Sequence, residues 1–448
     1  MEGMTIVPKT VAFATAVLSG FNRNRYRLET AGATSAGPSS IVTITLPSNA
    51  VIDLKSIRVH MDLLTTSDAT NSIYAKLPAD VSSLIQSCEV YIGGIQVTQS
   101  CSEYNTVCRI LKTIRSSRDR DGSVDSLLSH GEIDSSDAVD NVSVVLSDFK
   151  GFLGESSTRY LPTSLTGDVT IRLTFAPTSV LAFKQQGVAI GGNFANPASH
   201  AAAALLSYSA TNIFCTCDTI ALGSAYESML MDRLSTEEFL PVNFKEYYTF
   251  NLFGSTGGSH SVKFNLSASS IDACYAVFRD SNYQTPGIKT QLYTGASLTD
   301  TSCANAFFFK SFNSSNTLMG TFKYHWTCSN VRYPQYQASI LDAAADLSFV
   351  TDQVHTESRG HMVTSLTHFN NGACVVPLVL NMPGQGLNVG SGYSSKGSST
   401  QMSLEVTGQI APIAAAATGV TAALSTFVVV ETTAQMRISG NRQIGVSF

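Results

Sequence analysis

The sequence is poor in charged residues. Among 448 residues, Lys and Arg supply 28 and Asp and Glu supply 33, so charged residues make up 14% of the chain and the net charge is −5. A typical globular domain carries about 25% charged residues. Disordered chains combine low hydrophobicity with high net charge, and proteins that coat nucleic acid are basic overall. The composition, with 44% hydrophobic residues, excludes the first class and argues against the second.

Long apolar runs are also missing. A membrane span needs about 18–20 apolar residues in succession, and the longest candidate, residues 411–424, is interrupted by Pro412, Thr418 and Thr421. The Glu, Lys, Ala and Leu pattern of coiled coils is absent as well. Instead, 58 Ser and 44 Thr outnumber all charged residues together. Because a weakly charged surface is poorly protected against association, we expect much of it to be buried against copies of the chain.

Cysteine is scarce and irregularly placed. The nine cysteines are odd in number and match no disulfide framework. We interpret them as reduced thiols in a chain that folds in a reducing compartment, and the N-terminus lacks the basic start of a signal peptide. Cys215 and Cys217 fall on one face of a predicted strand. No second cysteine pair lies at zinc spacing, so we expect these two to be buried small residues.

Strand patterns dominate what is present. Apolar and polar residues alternate in many short segments separated by Gly, Pro, Asn and Ser, as in half-buried strands. Residues 426–431 (TFVVVE) form a continuous run with an apolar centre, which is typical of a strand covered on both faces. We predict strands at residues 40–47, 51–63, 169–175, 261–266, 402–407 and 426–431. Many short strands of this kind indicate sandwiches or barrels.

Two stretches have helical spacing, residues 104–114 and 337–350. Each places four residues on one face: Tyr104, Val107, Cys108 and Leu111 in the first, and Ile340, Leu341, Ala344 and Leu347 in the second. In both halves of the chain a strand and a turn precede the helix, and a polar loop and further strands follow it. This order predicts an internal duplication of strand–helix–strand modules.

The duplication suggests a division of the chain. We predict an N-terminal arm, a first sandwich, a weakly helical linker and a second sandwich, at residues 1–22, 23–222, 223–236 and 237–448. Three long polar insertions, at residues 116–141, 185–203 and 280–305, are expected to form exposed loops, since loops of this length are seldom part of a core.

Signatures of catalysis are lacking. The chain has no Gly-x-Ser-x-Gly elbow, no His-Glu-x-x-His and no phosphate-binding loop. The glycines of residues 384–390 miss the dinucleotide-binding spacing by one residue, and no predicted helix follows them. We therefore predict that the protein is not an enzyme and uses no cofactor.

One polar stretch contains residue types that bind zinc: Asp352, His355, Glu357, His361 and His368. Their spacings match no common set of ligands, and Ser358, Arg359 and Gly360 between them suggest a loop. We predict a polar loop and no metal site.

Basic residues cluster twice. The first cluster is Arg23, Arg25 and Arg27; the second is Arg109, Lys112, Arg115, Arg118 and Arg120, followed by Asp119, Asp121 and Asp125, which cancel much of its field. Such clusters can bind phosphates or acidic partners, and a solvated or inter-subunit face is the favoured alternative. We predict the first cluster as a contact for an inner-face partner or nucleic acid.

Three segments carry a resemblance. Residues 84–97 (LIQSCEVYIGGIQV), followed by the first helix, resemble a segment of double jelly-roll major capsid proteins in which a strand ends in an Ile-Gly-Gly-Gln-like turn, although Ile95 intervenes here before Gln96. Residues 305–312 and 329–336 resemble segments of the second jelly roll of that group. The group spans large DNA viruses of algae and amoebae, virophages and Polinton-like viruses.

The resemblance implies an all-β fold of two consecutive eight-stranded jelly-roll sandwiches with short helices and long surface loops. It implies homotrimers that form pseudo-hexameric capsomers and tile an icosahedral virion shell. The implied partners are neighbouring capsomers, minor capsid or penton proteins, and an internal membrane or genome at the inner face, where the N-terminal arm lies. The chain would be made in the host cytoplasm or nucleus and end in the virion, and no catalytic residues carry over.

Two other functions stay open at this point. A surface adhesin or carbohydrate-binding sandwich would carry a secretion signal and clustered exposed aromatic residues, and neither is visible in the sequence. A β-rich hydrolase would need paired carboxylates or a triad held close in space, which a linear sequence does not reveal.

Overall fold

The computed structural model describes most of the chain. The described residues are 22–30, 34–78, 80–98, 101–114, 138–186, 202, 204–221, 224–237, 239–255, 257–284, 307, 309–312, 321–354, 369, 372–380, 392–396, 401–410, 423–439 and 443–448. The predicted arm, except Asn22, and most of the three predicted insertions lie outside these residues.

Strands make up most of the described structure. The first half contains β1 (Asn22–Glu29), β2 (Ile41–Thr45), β3 (Val51–Thr65), β4 (Ser67–Asp68), β5 (Ile73–Lys76), β6 (Ile85–Ile92), β7 (Ile95–Gln96), β8 (Asn141–Leu146), β9 (Tyr160–Pro162), β10 (Val169–Phe175), β11 (Ala182–Gln185) and β12 (Tyr208–Ala221). The second half contains β13 (Phe239–Ser255), β14 (Gly257–Asn265), β15 (Ile271–Asp280), β16 (Lys323–Cys328), β17 (Val331–Ser339), β18 (Val375–Val379), β19 (Gln401–Ile410), β20 (Leu424–Ser439) and β21 (Ile444–Ser447). We call the β1–β12 half roll 1 and the β13–β21 half roll 2.

The helices are short and lie between strands. They are α1 (Tyr104–Ile114), α2 (Phe152–Glu155), α3 (Thr163–Thr166), α4 (Ser224–Glu237) and α5 (Ile340–Val354), with 3-10 turns at Val81–Leu84, Thr178–Val180 and Ser281–Gln284. No helix in the described part of the chain is long and apolar enough to cross a membrane.

The two rolls repeat one strand order. Roll 1 forms the antiparallel sheets β1-β12-β3-β8 and β2-β10-β6-β7, and roll 2 forms β13-β20-β15-β18 and β14-β19-β16-β17. If the eight main strands of each roll are counted along the chain, both rolls have one sheet in the order 1-8-3-6 and one in the order 2-7-4-5. This is the order of a jelly roll. The predicted fold class and internal duplication are therefore confirmed.

Smaller strands decorate the sheets. In roll 1, β9 pairs with β3, and β11, β5 and β4 form a third sheet. In roll 2, β21 pairs with β20. Helix α4 connects the last strand of roll 1 to the first of roll 2, where the linker is predicted. The domain boundaries themselves stay a prediction.

The core follows the predicted alternation. In β10, Val169, Ile171, Leu173 and Phe175 are buried while the positions between them are more exposed. Strand β15 is instead buried at all ten positions, because the core covers one of its faces and roll 1 approaches the other. The apolar run of residues 426–431 lies in β20 and is buried from Leu424 to Val430, as predicted for a strand covered on both faces.

The first predicted helix is confirmed and the second begins later than predicted. Helix α1 has the predicted bounds, and Tyr104, Val107 and Cys108 are buried. Helix α5 begins at Ile340, because residues 337–339 complete β17. The reason is local: the backbone N–H and the hydroxyl of Ser339 both donate to Asp342 Oδ2, each at 2.7 Å. The carboxylate three residues ahead thus ties down Ser339 as the start of the helix.

Matching hairpins join the fourth and fifth main strands of each roll. Gly93 and Gly94 connect β6 to β7 with φ of 56° and 80°, and Ser329 and Asn330 connect β16 to β17 with φ of 48° and 69°. A two-residue hairpin loop with two positive φ angles favours glycine and asparagine. The glycine turn in the resembling segment is therefore the roll 1 hairpin.

The eight described cysteines are free and buried. Cys215 and Cys217 lie on one buried face of β12, as predicted. Burial raises the pKa of Cys101 and Cys108 to about 12 and that of Cys217 to about 11. A thiol that is buried and protonated is a poor nucleophile.

We expect these eight thiols to resist alkylation in the native protein. At pH 8 with iodoacetamide they should react at least ~100-fold more slowly than in guanidinium, because both exposure and the thiolate form require unfolding. Mass spectrometry of tryptic peptides measures each site separately. Rapid native labelling of Cys108 would contradict the buried position of this residue.

Candidate functional site

A polar cluster lies between the two rolls. Arg279 of β15 is fully buried, and its Nη2 donates to Glu103 Oε2 at 2.9 Å. Glu103 directly precedes α1 in roll 1. The Tyr283 hydroxyl donates to Glu103 Oε1 at 2.8 Å, and Asn251 Nδ2 of β13 does so at 3.3 Å. A buried guanidinium is tolerable only when paired, so roll 2 depends on a carboxylate of roll 1.

Aromatic rings complete this cluster. The Arg279 guanidinium lies 3.7 Å from the ring centroid of Tyr283 and 5.0 Å from that of Phe427. Arginine stacks well on ring faces because its guanidinium is planar and weakly hydrated. The start of α1 is thereby held against the face of the roll 2 sheet that contains β13, β20 and β15.

A second contact extends the edge of that sheet. Ser156 forms an isolated antiparallel bridge with Phe244 of β13, and the Ser157 N–H donates to the Asn243 carbonyl at 2.7 Å. The Phe152 and Phe244 rings meet edge to face, with centroids 5.3 Å apart. Residues 151–157 of roll 1 thus cover the edge strand of roll 2, and an edge strand is otherwise a site for pairing with another chain.

A buried ion cluster lies beside this contact. Lys245 Nζ is 2.7 Å from Asp272 Oδ2 and 3.1 Å from Glu431 Oε1, and the Tyr247 hydroxyl donates to Glu155 of roll 1 at 2.7 Å. Burial works to lower the pKa of Lys245, but Glu431 and Asp272 outweigh it and the pKa is raised. The lysine is therefore held charged against roll 1.

Roll 1 has the same arrangement at the matching position. Arg25 of β1 pairs across the sheet with Asp218 of β12, as Lys245 of β13 pairs with Thr433 of β20. Arg25 Nε donates to Asp218 Oδ1 at 2.7 Å, and Arg23 also donates to Asp218. Each roll therefore places a cation of its first strand against a carboxylate on the same sheet face.

The two matching faces differ in what covers them. The side chains of Arg23, Arg25 and Arg27 are 44%, 54% and 61% exposed, whereas that of Lys245 is 15% exposed. Two further exposed arginines belong to the roll 1 face, which we call the arginine face: its members are Arg23, Arg25, Arg27, Arg58 and Arg159. Roll 1 covers the face of roll 2, and within the described residues the arginine face remains open.

The arginine face is organised by two buried carboxylates. Asp218 and Asp53 are each 1% exposed, and Arg159 Nη2 donates to Asp53 at 2.9 Å. The hydrogen bond from Arg25 holds the pKa of Asp218 below its ordinary value, and Arg23 adds to this effect against the opposing influence of burial. Arg27 instead lies over the Phe214 ring, 4.0 Å from its centroid.

The first predicted basic cluster is therefore exposed and lies on one sheet face. Its role as a contact for nucleic acid or a partner stays a prediction. The second cluster needs a correction. Lys112 is buried and, with Arg109, binds Asp80 at 3.1 and 3.0 Å. It is not part of a solvated basic face, since α1 packs its polar residues against the Asp80 turn. Arg115, Arg118 and Arg120 lie outside the described residues.

The polar stretch with zinc-binding residue types lies mostly outside the described residues. Of the zinc-binding residue types, Asp352 lies in α5, and the four others, from His355 to His368, lie outside the described residues. No group of three or more His, Cys, Asp or Glu suited to a metal occurs in the part of the chain that the structure describes. Sequence reasoning missed the pair of Glu103 and Arg279, because 176 residues separate them and no local pattern connects them.

Comparison with known proteins supports the fold. No family model matches the chain, and no curated protein matches it. Among solved structures, the chain is similar to VP54 of PBCV-1 as fitted into a reconstruction of the virophage Sputnik, with a TM-score of 0.61 and 15% identity over 96% of this chain and 97% of that chain. It is also similar to a chain of the PBCV-1 virus capsid, with a TM-score of 0.59 and 14% identity over 96% of this chain and 97% of that one. A chain of the Sputnik virophage is similar with a TM-score of 0.57 and 12% identity, and the match covers 96% of this chain and 89% of that one.

These likenesses define a class. The chain has the double jelly-roll fold that is found in these viral structures, and the likeness covers nearly the whole length on both sides. The resemblance seen in the sequence is thus confirmed at the level of the fold.

Substitution of Arg279 is expected to destabilise the protein strongly. Arg279→Met leaves the Glu103 carboxylate buried without its cation, which costs roughly 3–5 kcal/mol. The double variant with Glu103→Met should recover much of this loss, because a buried ion pair is often replaceable by apolar residues. Unfolding in denaturant, followed by the fluorescence of Trp326, the single tryptophan, measures both.

Arg437→Met is the matched control for Arg279→Met, because Arg437 is exposed on β20 and its loss should change stability by less than about 0.5 kcal/mol. A cost of Arg279→Met as small as that of the control would mean that the cluster does not hold the rolls together.

The arginine face should also contribute to acid sensitivity. Because the pKa of Asp218 is lowered in the folded state, its stabilising effect is complete above the ordinary value of about 3.8 and is lost as the pH falls through the lowered pKa. Asp218→Asn should therefore flatten the fall of the unfolding free energy below about pH 4. Denaturant titrations from pH 6 to pH 2 measure the slope, and identical slopes in both proteins would contradict the role of Asp218.

Proposed function

We propose that the protein is the major capsid protein of an icosahedral virus, a structural subunit that assembles as a homotrimer. The observation that carries the proposal is the contrast between two equivalent sheet faces. Roll 1 covers the face of roll 2 that contains Lys245, while no described residue covers the arginine face of roll 1. Because the equivalent face of roll 2 is covered by a jelly roll, we expect the arginine face to bind a jelly roll of a second copy.

The arrangement favours a closed ring. Within one chain, roll 1 covers a face of roll 2. If roll 2 of a second copy covers the arginine face of roll 1 in the same way, each contact between copies joins a surface of roll 1 to a different surface of roll 2. Such heterologous contacts close when the rotation between copies completes a circle. Three copies supply six rolls, and this matches the pseudo-hexameric capsomer that the resemblance implies.

The composition supports the same function. With 14% charged residues and 102 Ser and Thr, the sides of the subunit have few charges to desolvate on packing, and burying unpaired charge is costly. Rigid sandwiches with variable loops suit a shell, because the loops change without disturbing the core. Neighbouring capsomers, minor capsid or penton proteins and an internal membrane or genome are the partners we propose, with the virion as the location.

The carbohydrate-binding alternative rests on one observation. The sequence showed no clustered exposed aromatics, yet Tyr333 and Tyr336 of β17 are 39% and 60% exposed. Exposed tyrosines suit the apolar face of a sugar. A glycan array of the purified protein tests this function, and specific binding that is lost in Tyr336→Ala would favour it. We propose that the protein has a structural role and is not an enzyme.

We expect the purified protein to be a trimer. Light scattering coupled to size exclusion should give a mass near three times 47.7 kDa, and negative-stain images should show three-fold particles or shells. A protein that remains a monomer at micromolar concentration would overturn the proposed function.

A further inference from the structure

A second surface is exposed within the described part of the chain. Strand β17 is the last strand of its sheet, and Val331, Tyr333 and Tyr336 are among its most exposed residues. We call these three side chains the tyrosine ledge. Val331 and Tyr333 pair with Cys328 and Trp326, which are both buried, so these two side chains lie on the core side of the sheet. Tyr336 lies in the irregular stretch between the pairs Trp326–Tyr333 and Tyr324–Ala338.

The ledge and the start of α5 form one surface. The Tyr336 hydroxyl donates to Asp342 Oδ1 at 3.2 Å, and Asp346 follows one turn later and is exposed. The surface therefore combines aromatic rings with two carboxylates. Arginine binds both kinds of group, through the ring face and through charge-assisted hydrogen bonds.

The contact between roll 1 and roll 2 within the chain indicates what this surface would bind. In roll 1, the residues between the fifth main strand and α1 lie against the first strand of roll 2: Ser102 Oγ is 3.4 Å from Thr249 Oγ1, and Glu103 binds Asn251. The matching residues of roll 2 are the end of β17 and the start of α5. The matching first strand of roll 1 is β1, which carries Arg23, Arg25 and Arg27.

The charges match as well. Inside the chain, a carboxylate at the start of α1 meets an arginine of the facing sheet. The start of α5 again supplies carboxylates, Asp342 and Asp346, and the arginine face again supplies the cations. Arginine and tyrosine are enriched in protein interfaces, whereas lysine is depleted.

We propose that β1 and the arginine face of roll 1 dock onto the tyrosine ledge and the start of α5 in roll 2 of a second copy of this chain. The inference rests on the proposed function, since it identifies the two surfaces that close the ring. It also assigns the exposed arginines to a protein contact between copies and not to nucleic acid.

Two single substitutions test the two sides. Arg27→Glu places a carboxylate opposite the acidic start of α5, and Tyr336→Ala removes the most exposed ring of the ledge. Each should raise the concentration at which the trimer dissociates by about tenfold or more. Arg27 and Tyr336 are chosen because both are mostly exposed, so the fold should tolerate their loss; Trp326 fluorescence and circular dichroism confirm that each variant is folded.

Controls of the same chemistry lie elsewhere on the protein. Arg172→Glu reverses an exposed charge on the opposite sheet of roll 1, and Leu205→Ala removes a side chain that is 85% exposed. Both should remain trimers at the wild-type concentration.

Compensation and mixing make the pairing specific. Asp346→Arg introduced into the Arg27→Glu chain should restore trimers, since opposite charges then face each other again. In a mixture of the two variants, the intact arginine face of the Tyr336→Ala protein can bind the intact tyrosine ledge of the Arg27→Glu protein. The mixture should therefore give dimers near two times 47.7 kDa, which neither protein forms alone.

The outcomes separate the two proposals. A wild-type monomer overturns the proposed function and this inference with it. A wild-type trimer that is unaffected by both substitutions overturns this inference alone. The inference is also overturned if Arg27→Glu stays trimeric but binds a fluorescent DNA duplex more weakly than wild type, because the arginines would then serve nucleic acid.

Discussion

The structure depends on the burial of one arginine. Arg279 has no access to water, and the carboxylate that makes this tolerable comes from Glu103 in the other half of the chain. The pair ties the start of α1 to the face of roll 2, and the bridge between Ser156 and Phe244 fixes the same contact at the sheet edge. Two sandwiches whose buried apolar residues form one continuous cluster are thereby held in one relative position. That position decides which sheet faces are covered and which remain exposed among the described residues.

The repeat is exact in topology but unequal in detail. Both rolls have the same strand order and the same two-residue hairpin between the fourth and fifth main strands. The fifth strand, however, has two residues in roll 1 and nine in roll 2. The cation of the first strand is buried in roll 2 and exposed in roll 1. The proposed ring of identical chains would need two different surfaces on each chain, and the two rolls differ at these edges.

Much of the fold is predictable from short-range patterns. The alternation in β10, the apolar run in β20 and the helical spacing of α1 all reflect which side of an element faces a core, and this is written into neighbouring residues. Helix α5 begins three residues after its predicted start, because the contact between Ser339 and Asp342 decides where it begins. The prediction for Lys112 is wrong for a related reason: its charge indicates an exposed side chain, while the fold buries it beside Asp80.

The sequence by itself determined the strand-rich composition, the two-module order, the buried thiols and the presence of an arginine cluster, because each depends on residues close together in the chain. Only the tertiary structure decided that Glu103 meets Arg279, that no described residue covers the face of β1 that matches the covered face of β13, and that Tyr333 and Tyr336 are exposed. These features join residues more than a hundred positions apart, or depend on what happens to cover a strand. Burial and pairing over such distances are set by how the sheets stack, and no local pattern of residues encodes that.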